Sequence, residues 1–286
     1  MKTLVHLSDL HFGRVDRTVA DALAELIARL GPQVVAVSGD LTQRARRSQF
    51  REARRFLDLL PQPRVVVPGN HDIPLFNLPA RFLNPLGGYR RYITANLQPV
   101  HADAEIAVLG LNTTRATSLK GGAVQYDDVP SMCEVLGRLS ADAVKIVVGH
   151  HPFGEGHGTA LEGRPDARAI AQLAHAGADV FLTGHRHLSY TGHTAERYDI
   201  SGRAAIVVEA GTATSTRRRG EANAFNLLHI DPGHVAVERF EWQPAGGVFL
   251  FNRINRPNRA AGWVGDGPPR APGAQAVKAI GSSASP

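Results

Sequence analysis

The sequence predicts an α/β fold, because short apolar strands alternate with amphipathic helices through most of the chain. The composition is that of a globular protein, since 43% of the 286 residues are hydrophobic and 20% are charged. After about residue 200 the apolar strands follow one another without intervening helices. The second half of the fold should therefore be rich in strands and partly antiparallel.

The first elements form βα units. A strand over residues 3–7 precedes a helix over 16–30, whose apolar residues recur at helical spacing until Gly31-Pro32 ends it. A strand beginning at Val34 leads to a helix over about 46–60, which ends at Pro61. The next strand begins at Val65. This alternation predicts a central sheet with parallel strands.

The later elements follow the same reasoning. Residues 73–100 contain several prolines and aromatics, and we expect a loop with short helical pieces over the site. The remaining strands are predicted over 105–111, 205–208, 225–230 and 234–240, and two more begin at Ile146 and Val180. Two further helices are predicted over 127–139 and 165–176. Residues 231–233, Asp-Pro-Gly, predict a turn between the last two strands.

Charge and cysteine content limit the classes of function. The formal net charge of +6 is compatible with anionic substrates or weak nucleic-acid affinity and demonstrates neither. Cys133 is the single cysteine, which excludes an internal disulfide and any cysteine-based zinc or iron–sulfur site. The apolar runs are too short to cross a membrane, and the first strand begins directly after Met1 and Lys2, so we expect no signal peptide and a cytoplasmic location.

Five apolar runs each lead into residues that bind metals in other proteins. Open α/β sheets place their sites at the carboxyl ends of strands, so these side chains are expected to converge. The candidate metal ligands are two carboxylates, one amide and four imidazoles: Asp9, His11, Asp40, Asn70, His150, His185 and His187. Seven ligands are too many for one tetrahedral zinc ion and suit two ions that share a carboxylate.

The ligand types also predict the metals and the chemistry. A mixed imidazole and carboxylate set favours manganese, iron or zinc over calcium and magnesium. Two such ions, divalent or trivalent and about 3.5–4 Å apart, can hold a hydroxide between them and clamp a phosphoryl group. The remaining two candidates are catalytic. His71, beside a ligand, could donate a hydrogen bond or a proton near the leaving group, and Asp72 could orient His71 or tune its charge.

The motifs Asp9-x-His11, Gly39-Asp40, Gly69-Asn70-His71-Asp72, Gly149-His150 and Gly184-His185-x-His187 together resemble the calcineurin-like metallophosphoesterase superfamily. The forms GNHD, GHHP and GHRH are most similar to its class III cyclic nucleotide and glycerophosphodiester phosphodiesterase group. The resemblance implies a four-layer fold, a two-sheet β-sandwich flanked by helices. It also implies a lid over 153–178, whose glycine-rich start at 154–158 predicts a mobile rim. The catalytic domain is predicted over residues 1–250, and the Pro-, Gly-, Ala- and Ser-rich composition from about Asn255 predicts a poorly ordered tail over 251–286.

The same resemblance assigns roles to the candidates. Asp9, His11 and His187 would bind one ion, Asn70, His150 and His185 the other, Asp40 would bridge them, and His71 would assist catalysis. The implied function is hydrolysis of small phosphodiesters by a hydroxide bridging two metals, without a covalent enzyme intermediate. The alternatives are a phosphomonoesterase or nuclease with the same centre, and a non-catalytic binding protein with the same fold. The expected partner is a small phosphodiester; nucleic acid is not favoured, no membrane is expected, and an oligomer is compatible with the sequence.

Several other residues have competing interpretations. His6 is predicted to be a core histidine and His151 to pack against or line the pocket. Asn112 and Thr113 end a strand and would either contact substrate or close a loop. Arg217, Arg218 and Arg219 form a basic cluster, for which a solvated turn is the favoured interpretation and contact with phosphate or nucleic acid the alternative.

Overall fold

Two β-sheets, each covered on its outer face by helices, form four layers. The computed structural model describes residues 1–116, 128–152, 165–194, 204–231 and 233–255, together with 257–258 and 264–265. Within these ranges the first sheet contains β1 (Lys2–Leu7), β2 (Val34–Ser38), β3 (Arg64–Val67), β10 (Ala224–Asp231), β11 (His234–Gln243), β12 (Val248–Asn255), β13 (Pro257–Asn258) and β14 (Val264–Gly265). The second sheet contains β4 (Val100–Ala102), β5 (Ile106–Gly110), β6 (Val144–Val148), β7 (Val180–Thr183), β8 (Tyr190–His193) and β9 (Ile206–Glu209).

The strand order places the parallel strands at one end of the first sheet and in the middle of the second. The first sheet has the order β14-β13-β11-β10-β1-β2-β3, with β12 also paired to β11, and β1, β2 and β3 are mutually parallel. The second sheet has the order β4-β5-β6-β7-β9-β8, in which β5, β6, β7 and β9 are parallel. Strands β10 and β11 are antiparallel, as the strand-rich second half predicts.

Helices cover the outer face of each sheet. The helices are α1 (Arg17–Leu30), α2 (Arg47–Leu59), α3 (Leu78–Leu83), α4 (Gly87–Tyr92), α5 (Asp128–Arg138) and α6 (Pro165–His175). Helices α1, α2 and α4 pack on the first sheet, and α5 and α6 on the second. The inner core contains valine, isoleucine and leucine from both sheets. Parallel strands covered on both faces are continuously apolar, which explains their fully buried pattern.

Local signals explain where the first helix begins and ends. The Asp16 side chain accepts a hydrogen bond from the Val19 backbone N–H at 3.4 Å, which makes Asp16 the N-cap of α1. At the other end Gly31 adopts φ 54°, a left-handed conformation that glycine reaches without steric cost. None of the helices in the described ranges is both long enough and apolar enough to span a lipid bilayer.

The predicted two-sheet α/β architecture is confirmed, whereas five of the described strands were not predicted. These are β4, β8, β12, β13 and β14, and β12 crosses the predicted domain boundary at residues 250 and 251 while pairing with β11. The predicted rim at 154–158 lies outside the described residues, as do Pro232 of the predicted turn and residues 266–286 of the predicted tail.

Candidate metal centre

The candidate ligands lie in the loops that follow β1, β2, β3, β6 and β7. Backbone hydrogen bonds hold these loops side by side, including Asp9 N–H to Gly39 O at 3.1 Å and Gly184 N–H to His150 O at 3.0 Å. The first pair joins loops of the first sheet, and the second joins loops of the second sheet. The carboxyl ends of parallel strands thus bring distant parts of the sequence to one place, as predicted.

Left-handed backbone conformations are concentrated at the ligands. The φ angles are 53° at Asp9, 52° at His11, 52° at Asp40, 70° at His185 and 58° at His187. For residues other than glycine such a conformation costs roughly 1–3 kcal/mol, and it persists where the surrounding structure enforces it. The backbone is therefore strained where five of the seven candidate ligands lie, which is typical of functional sites.

Glycines before the ligands allow the loops to approach closely. A Cβ atom at Gly39, where φ is 86°, would lie 2.7 Å from the His150 Nδ1 atom. A Cβ atom at Gly184 would lie 2.6 Å from the Asp9 Oδ2 atom and closer still to Ser8. Both positions therefore need glycine, which accounts for the repeated glycine-ligand pattern in the sequence.

Three predicted ligands form a first cluster, which we call cluster A. The Asp9 Oδ1 atom lies 3.1 Å from His187 Nε2 and 3.5 Å from His11 Nε2, and the two Nε2 atoms are 3.1 Å apart. All three side chains are buried. Ligands about 2.0–2.2 Å from one zinc-sized ion are separated by about 3 Å or slightly more, so this spacing fits a shared cation.

Three further predicted ligands form cluster B. The His150 Nε2 atom lies 3.2 Å from Asn70 Oδ1 and 3.3 Å from His185 Nδ1. The Asp40 Oδ2 atom lies 3.4 Å from His150 Nε2 in cluster B and 3.6 Å from His11 Nε2 in cluster A. One carboxylate oxygen of Asp40 thus faces both clusters.

The hydrogen bonds of the histidines show that their other ring nitrogens are free to act as ligands. His187 Nδ1–H donates to Arg217 O at 2.8 Å, and His150 Nδ1–H donates to Ser38 O at 2.7 Å. A neutral imidazole that donates through Nδ1 carries a lone pair on Nε2. These lone pairs face carboxylate oxygens, and the buried Asp9 Oδ1 atom has no hydrogen-bond partner. Lone pairs that face each other in a buried site need a cation or a proton between them.

Protonation is the alternative to a cation, and the pKa values show how strongly the site attracts positive charge. Burial opposes protonation of His150, but the Asp40 carboxylate outweighs it and raises the pKa to about 9. Burial would raise the pKa of Asp9, but His11 and His187 outweigh it and hold the pKa well below its usual range. A metal cation would compete with this proton for the same lone pairs. The residues therefore fit metal ions in both charge and donor type.

His71 lies at the rim of the site and is oriented by the backbone. His71 Nδ1–H donates to Gln43 O at 2.8 Å, and the Arg217 Nη1 atom lies 3.3 Å from His71 Nε2. The backbone N–H of His71 donates to Asp40 Oδ1 at 2.8 Å. Burial lowers the pKa of His71, with a smaller contribution in the same direction from Arg217. Beside His71 is a recess of about 40 Å³, whose lining includes Arg44 and Arg81.

Asp72 does not orient His71, and that prediction is wrong. Both Asp72 carboxylate oxygens accept from other groups: Leu41 N–H at 3.1 Å, Gly69 N–H at 3.0 Å, and the N–H and hydroxyl of Thr42, both at 2.9 Å. Burial and the nearby Asp40 carboxylate raise the pKa of Asp72 to about 7. Asp72 therefore joins the loops that carry Asp40 and Asn70 and is a structural clamp.

The remaining candidates divide between core and site. His6 is fully buried and lies 2.9 Å from the Ser38 hydroxyl through Nε2, as predicted for a core histidine. His151 packs against the rings of His150 and His185, and its buried Nε2 atom has no hydrogen-bond partner. Thr113 closes a loop, because its hydroxyl accepts from the backbone N–H groups of His150 and His151 at 3.2 and 3.1 Å.

Sequence reasoning missed two groups that support the site. The Ser8 hydroxyl donates to Asp9 Oδ2 at 2.7 Å, and the Thr212 hydroxyl donates to Asp9 O at 2.7 Å. The serine directly before Asp9 was a visible signal, whereas Thr212 lies 203 residues away from its partner. Arg217 also contacts the site through both its carbonyl and its side chain, so the interpretation as a solvated turn is wrong for that residue.

The fold and these clusters define the class of a two-sheet α/β sandwich with a candidate metal centre at the carboxyl ends of its parallel strands. The model of the calcineurin-like phosphoesterase family matches residues 2–189, and the chain belongs to this family. The glycerophosphodiester phosphodiesterase GpdQ of Enterobacter lignolyticus (strain SCF1) is 29% identical over 160 residues, which are 52% of this chain and 56% of that protein. The chain thus spans just over half the length of this relative.

Solved structures share the fold. The purple acid phosphatase PPD1 from yellow lupin (Lupinus luteus) seeds has a TM-score of 0.62 and 13% identity, over 88% of this chain and 53% of that chain. GAP50, the anchor in the inner membrane complex of Plasmodium, has a TM-score of 0.55 and 14% identity, over 88% of each chain. At these identities the likeness concerns the fold alone.

Proposed function

We propose that the chain is a dinuclear phosphodiesterase that hydrolyses small phosphodiesters of the cyclic nucleotide or glycerophosphodiester type. The observation that carries this proposal is the position of Asp40, whose Oδ2 atom faces His11 in cluster A and His150 in cluster B. A shared carboxylate between two ligand clusters is what a pair of ions requires. The named activity of the GpdQ relative supports the diester class.

Each cluster would hold one ion of manganese, iron or zinc. Asp9, His11 and His187 would hold the first, Asn70, His150 and His185 the second, and Asp40 would contact both. When bound, such ions supply Lewis-acid chemistry that lowers the pKa of a coordinated water and neutralises charge on phosphoryl oxygens. His150 and His187 are held in the correct tautomer by Ser38 O and Arg217 O.

His71 would exchange a proton with the leaving-group oxygen. Because its Nδ1–H is fixed on Gln43 O, any proton that it gives to substrate must leave from Nε2. Burial lowers the pKa of His71, so a proton on Nε2 is released more readily than from an exposed histidine. Since Asp72 does not contact this ring, the backbone carbonyl of Gln43 takes the orienting role that sequence reasoning gave to Asp72.

A substrate panel tests the proposal. The protein is stripped with EDTA, reloaded with manganese and assayed with bis- and mono-p-nitrophenyl phosphate, cyclic AMP and a short DNA. We expect turnover of the diester to exceed that of the monoester and to require the metal. An equal or reversed preference contradicts the diesterase assignment while leaving the metal centre standing. Turnover of DNA that falls steeply with salt would indicate a nuclease instead.

Metal content tests the dinuclear part separately. Elemental analysis of the reloaded protein should find two ions per chain, and Asp40→Ala should bind fewer. A stoichiometry of one ion per chain in an active preparation contradicts the shared role of Asp40. A wild-type chain that retains no metal and hydrolyses no ester would favour a non-catalytic binding protein with the same fold.

A further inference from the structure

Arg217 connects two parts of the candidate site. It lies between β9 and β10, and its backbone carbonyl accepts the Nδ1–H of His187 at 2.8 Å. Its guanidinium extends in a different direction, and the Nη1 atom lies 3.3 Å from His71 Nε2. The same residue therefore fixes a metal ligand through its backbone and places a cation at the catalytic histidine through its side chain.

We propose that Arg217 is a substrate-binding residue whose guanidinium binds a nonbridging phosphoryl oxygen; this inference rests on the proposed function. In that function the Nε2 atom of His71 must come within hydrogen-bond distance of the ester oxygen that leaves. A guanidinium that touches the same Nε2 atom is within reach of the adjacent oxygens on the same phosphorus. The contact with His71 uses one of its five N–H donors while Nε2 is unprotonated, and this donor becomes available when Nε2 carries the proton for the leaving group. The planar guanidinium matches the geometry of phosphate oxygens.

The charge of Arg217 is available for an anionic ligand. Among the residues that the structure describes, no carboxylate forms an ion pair with Arg217, whereas the neighbouring Arg218 pairs with Asp16 at 3.7 Å. Arg217 is also less exposed than Arg219, which is at the surface. A partly buried cation beside a catalytic histidine, with no carboxylate partner in the described ranges, is well placed to bind phosphate.

The competing explanation is that Arg217 only positions the His71 ring. The ring already has an orienting partner, because Gln43 O accepts its Nδ1–H at 2.8 Å. The two explanations differ in a measurable way. A substrate-binding residue changes the affinity for phosphate itself, whereas a residue that positions His71 changes the turnover number and leaves phosphate affinity as it was.

The test compares three variants of the full chain loaded with manganese. Arg217→Ala removes the guanidinium but keeps the backbone carbonyl that accepts the hydrogen bond from His187. Arg217→Lys keeps the positive charge without the planar set of N–H donors. Arg219→Ala removes an equal charge two residues away. The measurements are kcat/KM for bis-p-nitrophenyl phosphate, competitive inhibition by inorganic phosphate, and phosphate binding by titration calorimetry. Metal content and melting temperature show whether each variant is folded and loaded.

The expected results separate the variants. For Arg217→Ala, kcat/KM should fall about ten- to a hundredfold and the dissociation constant for phosphate should rise by a similar factor, as for the loss of a charge-assisted hydrogen bond. Arg217→Lys should lie between this variant and the wild type, and Arg219→Ala should stay within about twofold of the wild type.

The inference and the proposed function fail in different ways. An unchanged phosphate affinity in a folded, metal-loaded Arg217→Ala variant overturns the inference, even if kcat is lower. An equal loss of phosphate affinity in Arg219→Ala also overturns it, because the effect would then come from net charge. Absence of ester turnover in the wild type contradicts the proposed function, and calorimetry with phosphate still decides the role of Arg217 in that case.

Discussion

Removal of the Asp72 carboxylate should destabilise the protein far more than a typical aspartate substitution. The side chain is fully buried and accepts four hydrogen bonds, three from the backbone N–H groups of Leu41, Thr42 and Gly69 and one from the Thr42 hydroxyl. A hydrogen bond to a charged group contributes about 1.5–3 kcal/mol. In Asp72→Ala these buried donors lose their acceptor and keep the cost of being removed from water.

The expected loss is about 2–4 kcal/mol. It is less than the full sum because burial and Asp40 oppose the charge of Asp72, as its raised pKa shows, and because water can enter the space left by the carboxylate. The free energy of unfolding of a typical domain is only about 5–15 kcal/mol, so such a loss is a large fraction of the total. Asp72→Asn should cost less, because its amide oxygen can still accept from one pair of donors. Metal affinity should fall as well, since the clamp holds the loops that carry Asp40 and Asn70.

Urea unfolding at pH 8 in the presence of manganese measures this loss, because Asp72 is mostly charged above its pKa of about 7. Asp58→Ala is a matched control: Asp58 is exposed and pairs with Arg54 at 2.9 Å, so its removal should cost less than about 1 kcal/mol. A loss below about 1 kcal/mol in Asp72→Ala would refute the clamp. A shifted pH profile in Asp72→Asn with unchanged stability would restore the orienting role toward His71.

Three further predictions follow from the site and the core. Asp40→Ala should abolish ester hydrolysis and lower the metal content, because one carboxylate faces both clusters; elemental analysis and the diester assay measure this. His71→Ala should lower kcat about a hundredfold or more while metal content is largely kept, since His71 is not an assigned ligand. Burial holds the pKa of His6 at about 3, so between this pH and 6.5 the unfolded chain binds a proton that the folded chain does not. Stability is therefore lost as the pH falls, by about 2 kcal/mol between pH 7 and pH 5, and His6→Gln should remove this part of the loss in urea unfolding.

Each of these has a result that contradicts it. Asp40→Ala with two ions per chain would disprove the bridging position, and His71→Ala without metal would assign His71 to the ligand set. An identical slope of stability against pH in wild type and His6→Gln would mean that His6 does not remain neutral in the folded chain at pH 5.

The sequence predicted the strands and ligands well because their signals are local. A fully buried parallel strand is continuously apolar, and four of the five strands that carry ligands end in a glycine and a polar residue within a few positions. The remaining strand, β1, ends in Ser8 and Asp9. The strands that were missed carry weaker signals. Tyr190–His193 is mostly half-buried and contains a glycine, and β12 begins after the tight turn that follows Gln243 with alternating exposure at Val248 and Phe249.

The roles of Asp72 and Arg217 could not be predicted, because their contacts are distant in sequence. The Asp72 carboxylate binds backbone N–H groups about 30 positions earlier, and a backbone N–H carries no signature in the sequence. The Arg217 side chain meets a residue 146 positions away, and the two arginines that follow Arg217 have different surroundings. Only the folded chain distinguishes these three arginines.

The two ligand clusters each draw on both sheets of the sandwich. Asp9, His11 and Asn70 follow strands of the first sheet, whereas His150, His185 and His187 follow strands of the second. A cation bound in either cluster would therefore join the two sheets, which are otherwise held together at this end by apolar packing and by hydrogen bonds such as that from His150 Nδ1–H to Ser38 O. Removal of the metal by a chelator should weaken the contact between the two sheets before either sheet unfolds. The melting temperature should rise with the concentration of free metal.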